Sequence, residues 1–140
     1  MFSRIRNKLI EYKEIKYLAY HDALTGLLNR NWLFKNLHLI DKKYVYFIDI
    51  NNLGEVNKLG HSFGDDYIIK CVKSIKVQPE DYLVRYAGDE FLLFTNDKNA
   101  LITNKFFSVG KSRIFSSIKE AINNADYDML KAKNKFKLKY

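Results

Sequence analysis

Two short apolar runs that are separated by only four residues constrain the fold more than any other feature. YLVRY (82–86) and FLLFT (91–95) are rich in aromatic and β-branched residues, as strands are, and AGDE lies between them. The spacing predicts an antiparallel β-hairpin with two adjacent carboxylates, Asp89 and Glu90, at its tip. Considered by itself, the hairpin favours a solvated turn over a functional site, because Gly-Asp is common turn chemistry.

The rest of the sequence alternates helical and strand patterns. Helical patterns occupy 22–37, where Asp22 is the candidate cap, 65–76, and 116–137, where Ser116 or Ser117 is the candidate cap. YVYFIDI (44–50) predicts a buried strand, residues 51–64 a polar connection, and 106–115 a further strand. This order predicts an α/β fold, an α+β sandwich with a central sheet of about four to five strands flanked by helices.

The N-terminal segment, residues 1–21, predicts an amphipathic helix ahead of a domain that covers 22–140. Its apolar residues recur at steps of three and four, at Phe2, Ile5, Leu9, Tyr12, Ile15 and Ala19. The favoured interpretation is that this helix packs on its own domain. Pairing with a second copy of the chain is the alternative, for which about two heptads are short evidence.

Composition limits the partners. The net charge of +8 favours phosphate-bearing partners but does not choose among nucleotides, nucleic acid and an anionic membrane surface. No motif for specific nucleic-acid binding accompanies the charge. The single cysteine, Cys71, fits a reducing compartment, and no apolar run approaches the roughly 18 residues of a membrane span. We therefore expect a cytoplasmic protein.

Three acids belong to elements that can meet at one sheet edge. Asp49 lies at the end of the strand 44–50, and Asp89 and Glu90 lie at the hairpin tip. If these strands are neighbours, the carboxylates converge and form the kind of oxygen-rich site that suits Mg²⁺. Such a site can support phosphoryl transfer.

Six motifs occur together and in order along the chain. They are DALTGLLNR (22–30), FIDINN (47–52), GHSFGDD (60–66), RYAGDEF (85–91), FSVGKS (107–112) and ADYDMLKAK (125–133). Together they resemble the GGDEF domain, the catalytic domain of diguanylate cyclases, over residues 22 to about 137. The resemblance implies the palm-like sheet of that family, and a reaction in which two GTP condense to cyclic di-GMP and pyrophosphate.

The resemblance also implies roles for single residues. Asp49, the Ile50 carbonyl and Asp89 would bind Mg²⁺, with Mn²⁺ as the alternative ion, and Glu90 would be the adjoining catalytic acid. Each domain would hold one GTP, so that a homodimer is implied at least during catalysis.

Six further residues would bind the substrate. Backbone amides of Asn52 and Leu53 and the ammonium groups of Lys133 and Lys137 would bind phosphates. Asn57 and Asp65 would recognise guanine, since a carboxylate accepts from its N1–H and amino group. We interpret His61, between them, as structural.

Three departures from the family pattern affect these expectations. Ala87 replaces the first glycine of the signature, which costs about 1–2 kcal/mol if the position needs a positive φ. The loop after Asn57 is one residue short, and Gly54 stands where a lysine is common. The segment between DEFLLF and FSVGKS is also short, which predicts an uncovered sheet face that could receive a partner.

These departures leave two alternatives to a diguanylate cyclase. A cyclase that makes another cyclic dinucleotide would keep the metal site and change the base that is recognised. A noncatalytic module that binds a nucleotide or a protein partner would fit the small size and the short segment between DEFLLF and FSVGKS, which resembles the family pattern with one helix deleted.

Overall fold

The computed structural model describes residues 1 to 139, and Tyr140, the last residue of the predicted domain, lies outside them. Five strands form one mixed sheet in the order β1-β3-β4-β2-β5, in which β1 pairs with β3 in parallel and the other pairs are antiparallel. The strands are β1 (Leu28–Asn29), β2 (Tyr44–Ile50), β3 (Tyr82–Arg85), β4 (Glu90–Thr95) and β5 (Phe107–Arg113). The helices are α1 (Phe2–Tyr20), α2 (Arg30–Lys35), α3 (Leu53–Asn57), α4 (His61–Lys73) and α5 (Ile118–Lys139), with a 3-10 turn at Leu37–Leu39. The predicted α+β sandwich is confirmed.

The hydrophobic core lies on both faces of the sheet, because every residue of β2 from Val45 to Ile50 is buried. Side chains alternate along a strand, so Val45 and Phe47 face α2 and α5, while Tyr46 and Ile48 face α4. This double coverage explains why YVYFIDI reads as a continuous apolar run rather than an alternating one.

The expectation of an uncovered sheet face was wrong. Tyr46 and Leu93, on the face in question, are almost fully buried, and the short segment after β4 packs over them through Ala100, Leu101 and Phe106. The Tyr46 hydroxyl fixes this segment, because it donates to the Asp97 carbonyl (2.9 Å) and accepts from the Ala100 amide (3.1 Å). A few apolar side chains on an anchored loop thus cover this face of the sheet.

The favoured interpretation of α1 was also wrong. None of its residues is buried, so the helix does not pack along its own domain. Its last turn is attached where the Asn29 and Asn31 side-chain amides donate to the Ala19 carbonyl (2.9 and 3.1 Å). Within the described residues, every helix is too short or too polar to cross a membrane.

Two predicted boundaries shifted for local reasons. The connection 51–64 contains α3 and the first turn of α4, which starts at His61 after Gly60 (φ 127°). The carboxylate of Asp22 caps a turn rather than a helix, since it accepts from the Thr25 amide (2.8 Å) and hydroxyl (2.7 Å). Of the two serines proposed to cap α5, Ser117 accepts from the Glu120 amide (3.2 Å).

Gly110 in β5 should tolerate no side chain, because α5 crosses it at backbone contact. A methyl group there would meet the Ala125 carbonyl and the Met129 amide, which are backbone atoms that cannot turn away. We expect Gly110→Ala to lower the free energy of unfolding by about 1–3 kcal/mol, measured by urea denaturation. Gly54→Ala, where nothing lies within 4 Å of the added methyl, is the control and should not destabilise the chain. Equal effects of the two changes would contradict this account.

Candidate active site

Asp49 is the centre of the candidate site. It lies at the end of the central strand β2, where the strand is flanked by β4 and β5, and it is only 5% exposed. Its Oδ2 accepts a hydrogen bond from the Lys133 ammonium (2.9 Å), while its Oδ1 is buried and has no partner. Burying a carboxylate oxygen without a hydrogen-bond partner destabilises the fold. Oδ1 is therefore a candidate atom for binding a ligand.

The β2–β4 pairing brings the hairpin acids to Asp49. Asp49 lies directly opposite Glu90 in the antiparallel register, and the Ile50 amide donates to the Asp89 carbonyl (2.9 Å). Opposed residues on neighbouring strands have Cβ atoms about 4.5–5.5 Å apart. The expected meeting of these strands is therefore observed.

Arg85 holds the hairpin tip that carries these acids. Its guanidinium donates to both carboxylate oxygens of Asp22 (3.1 and 3.0 Å) and to the Gly88 carbonyl (2.7 Å). The turn after α1 and the signature hairpin are thus joined by one side chain. Among residues 1–139, Asn52 is the non-glycine residue with a positive φ, so Ala87 occupies its position without the strain that its sequence suggested.

Burial and neighbouring negative charges raise the pKa of two carboxyl groups in the site. Burial raises the pKa of Asp49, and the charges of Asp89 and Asp126 add to it, against the opposing effect of Lys133. The pKa of Glu90 is raised by burial first and then by the charges of Asp49, Asp89 and Asp126. A cation placed among them would therefore stabilise the charged form of both carboxylates.

The residues present fit a divalent cation such as Mg²⁺. The partnerless Oδ1 of Asp49 offers an oxygen ligand, and Asp89 and Glu90 lie beside it. Within the described chain, no three His, Cys, Asp or Glu side chains are already arranged as a metal cage. That is compatible with Mg²⁺, which usually takes one or two carboxylates and completes its shell with water and substrate phosphate.

A cleft of about 1030 Å³ opens next to these acids. Its lining combines the turn after β2 with two acids and with three lysines, two from α5 and one from the segment before β5. These lining residues are Asn52, Gly54, Glu55, Asp89, Lys105, Lys133 and Lys137. The sequence analysis placed Asn52, Leu53, Lys133 and Lys137 at a phosphate site, and the structure brings all four to this cleft.

Asn57 and Asp65 are not among the residues that line the cleft, although Asn57 ends the helix α3 whose first residues do. The Asn57 side chain rests against Gly64, where a side chain would collide with its amide, and Asp65 follows in the first turns of α4. Both are exposed, as is His61 at the start of α4. Their role in base recognition stays a prediction.

Asn51 is a central residue that sequence reasoning missed. Its amide donates to the Phe106 carbonyl (2.8 Å), its side-chain amide to the Asn104 carbonyl (3.3 Å), and its Oδ1 accepts from the Ser108 hydroxyl (2.9 Å). Its carbonyl accepts from the Tyr67 hydroxyl (3.1 Å). The available signal was a polar residue that directly follows a buried strand, which needs internal hydrogen-bond partners.

Comparison with known proteins identifies the family. Residues 19–109 match the family model described as "Diguanylate cyclase, GGDEF domain". The chain belongs to the GGDEF family.

Individual relatives agree with this assignment. The chain is 32% identical to the diguanylate cyclase DgcP of Escherichia coli K12 over 79% of its own length and 35% of that protein. Its fold is similar to the coiled coil and GGDEF domain of DgcB from Caulobacter crescentus, solved with c-di-GMP (TM-score 0.80, 16% identity, 95% and 90% of the two chains). It is also similar to a sensory box/GGDEF family protein of Caulobacter crescentus CB15 (TM-score 0.67, 27% identity, 84% and 99%). The chain spans 12 to 35% of the length of the curated relatives it matches.

Removing the charge of Asp49 should stabilise the metal-free fold of this GGDEF domain. Because its pKa is raised in the folded chain, folding favours the protonated carboxyl, and stability falls as pH rises from the ordinary value of 3.8 through the folded pKa. Asp49→Asn keeps the size and an oxygen for Lys133 and abolishes this loss. We expect a higher Tm than the unmodified chain at neutral pH in EDTA, and a difference that shrinks as pH falls toward 3.8.

Thermal denaturation across that pH series is the measurement, and Asp41→Asn is the matched control because Asp41 is exposed. A lower Tm for Asp49→Asn at neutral pH would mean that the ion pair with Lys133 outweighs the cost of burying the charge.

Proposed function

We propose that this chain is a diguanylate cyclase that condenses two GTP into cyclic di-GMP and releases pyrophosphate. The observation that carries the proposal is the buried Asp49 carboxylate, with a partnerless oxygen, in register with Glu90 and beside a cleft lined by lysines. Membership in the GGDEF family supports the same reaction.

Asp49, the Ile50 carbonyl and Asp89 would hold Mg²⁺, or Mn²⁺ in its place. When bound, the ion would supply positive charge to the reacting phosphate and lower the pKa of an attacking hydroxyl. Glu90 lies opposite Asp49, and burial with neighbouring negative charge raises its pKa, which makes it a stronger proton acceptor. It would take the proton of the ribose 3′-hydroxyl, whose oxygen then bonds to the α-phosphorus of the second GTP as pyrophosphate leaves.

Lys133 would change partners when substrate binds. Its ammonium forms an ion pair with Asp49 (2.9 Å), and α5 also supplies Lys137 to the cleft. A cation at Asp49 would displace the ammonium and leave it to a phosphate oxygen. Amides of Asn52 and Leu53 would bind phosphates on the other side of the cleft.

The reaction requires two copies of the chain. One cleft has one set of acids and would hold one GTP, so each 3′-hydroxyl must reach a nucleotide held by another domain. We therefore propose a homodimer, at least during catalysis. The exposed apolar side chains of α1, among them Phe2 (82% exposed) and Leu18 (69%), favour pairing with a second copy, the interpretation ranked second from sequence.

Product analysis tests the reaction directly. Purified chain is incubated with Mg²⁺ and each nucleoside triphosphate, singly and in pairs, and the products are identified by mass spectrometry. We expect cyclic di-GMP from GTP alone. Asp49→Asn and Glu90→Gln should each lower the rate at least about 100-fold, because each removes a group that acts on the reacting atoms, while Asp41→Asn should leave it unchanged.

The other outcomes separate the alternatives. A different cyclic dinucleotide would keep the metal site and overturn the base assignment. No product from folded, concentrated chain would favour a noncatalytic module, and nucleotide binding would then be measured by calorimetry.

Asp65 should determine the preference for guanine. We expect Asp65→Ala to weaken GTP binding about 10–100-fold while ATP binding stays as weak as before, since guanine N1–H and amino groups lose a charged acceptor. Asp66→Ala is the matched control, because it removes the neighbouring carboxylate, which is also exposed. Equal losses for GTP in the two variants would indicate a general charge effect and remove Asp65 from base recognition.

A further inference from the structure

Lys105 lies at the same cleft as the proposed phosphate-binding lysines but comes from a different part of the chain. Lys133 and Lys137 extend from α5, whereas Lys105 belongs to the short segment between β4 and β5. Neither the motifs nor the proposed reaction uses it. Three lysines from two parts of the chain thus line one cavity together with two acids, Asp89 and Glu55.

The backbone at Lys105 is held in place by the strand that carries Asp49. Lys105 lies inside a tight turn in which the Asn104 amide donates to the Phe107 carbonyl (2.9 Å). The side-chain oxygen of Asn104 closes the turn by accepting from the Phe106 amide (2.7 Å) and the Phe107 amide (3.1 Å). Asn51, two residues after Asp49, bonds to the carbonyls on both sides of Lys105, those of Asn104 and Phe106. The position of Lys105 is therefore coupled to the catalytic strand.

The Lys105 ammonium has no carboxylate partner. The ion pairs among the described residues engage Lys58, Arg85 and Lys133, and Lys105 is not one of them. Its Nζ lies 5.1 Å from the centre of the Phe106 ring, a contact that directs the side chain while leaving its three N–H donors unused. An exposed ammonium in this position is available to an anion in the cleft.

Gly54 lines the same cleft and leaves room in it. Nothing lies within 4 Å of a side chain added at Gly54, so Gly54 itself contributes neither bulk nor charge, and the carboxylate of the adjacent Glu55 is paired with Lys58 (3.0 Å). Positive charge in the cleft beyond Lys133 must come from Lys105 and Lys137. A ligand with several negative oxygens is the chemistry that suits lysines contributed by two parts of the chain.

We propose that Lys105 is a phosphate-binding residue that holds the triphosphate of the nucleotide. The inference rests on the proposed function and adds to it a residue from the segment between β4 and β5. The Asn104–Phe107 turn, anchored by Asn51, would then be a binding element as well as the cover of one sheet face.

The test removes only the charge. Lys105→Met keeps a chain of similar length over the Phe106 ring, and Lys105→Arg keeps the charge. Lys98→Met is the matched control, because Lys98 is exposed on the same segment and does not line the cleft. Binding of GTP in Mg²⁺ is measured by calorimetry at two salt concentrations, together with the urea midpoint of each variant.

We expect Lys105→Met to weaken GTP binding about tenfold, the usual scale for a lost charged hydrogen bond, and to reduce the salt dependence. The urea midpoint of Lys105→Met should stay close to that of the unmodified chain. Lys98→Met and Lys105→Arg should bind GTP with nearly the affinity of the unmodified chain. Gly54→Lys should restore affinity when it is added to Lys105→Met, since it returns a charge to the same cleft where there is space.

The contrary outcomes are distinct. Lys105→Met that binds GTP like the unmodified chain overturns this inference and leaves the proposed function standing. Equal losses in Lys105→Met and Lys98→Met also overturn it, because they indicate attraction by net charge alone. An unmodified, folded chain that binds no GTP overturns the proposed function and this inference with it.

Discussion

The antiparallel pairing of β2 with β4 is the constraint on which the candidate site depends. It sets Asp49 opposite Glu90 and ties Ile50 to Asp89 through the backbone. Because side chains alternate, Asp49 shares a face with Phe47 and Val45 and points toward α5, from which Lys133 reaches it. A register slip of one residue would turn Asp49 to the face of α4 and away from Lys133. The buried apolar residues of β2 thus fix the chemistry as well as the core.

The short segment before β5 covers one face of the sheet, and a few specific hydrogen bonds hold it there. Asn51 and Tyr46 anchor it, and its Thr103 hydroxyl accepts from the Val109 amide (2.9 Å) on the outer side of β5. Further along that edge, the Asp128 carboxylate accepts from the Lys111 amide (2.9 Å). Side chains therefore satisfy backbone groups that an additional strand would otherwise pair with, which protects the sheet edge.

Local patterns predicted β2 to β5 and missed β1 (Leu28–Asn29), which lies inside the segment 22–37 that the sequence predicts to be helical. They predicted the connections poorly. YVYFIDI matches β2 residue for residue. A continuous apolar run bounded by polar residues is typical of a strand that is buried on both faces of a sheet. The start of α4 was missed because Gly60 and Gly64 weaken a helical pattern, although Gly64 is there to admit the Asn57 side chain. Asn51 was missed despite its position directly after a buried strand, and Lys105 carried no local signal, because their roles arise from contacts between residues more than 50 positions apart in sequence.

The carboxylates of Asp22 and Asp49 differ in how far hydrogen bonds within the chain satisfy them. At Asp22, burial pushes the pKa up, but hydrogen bonds from Thr25 and Arg85 outweigh it, and the pKa is lowered. At Asp49, burial prevails over the single bond from Lys133, and the pKa is raised. Asp22 is satisfied within the chain and holds the hairpin in place, whereas Asp49 keeps an oxygen without a partner. A satisfied acid stabilises the fold, and an acid with a partnerless oxygen in a buried strand is a candidate to bind a ligand.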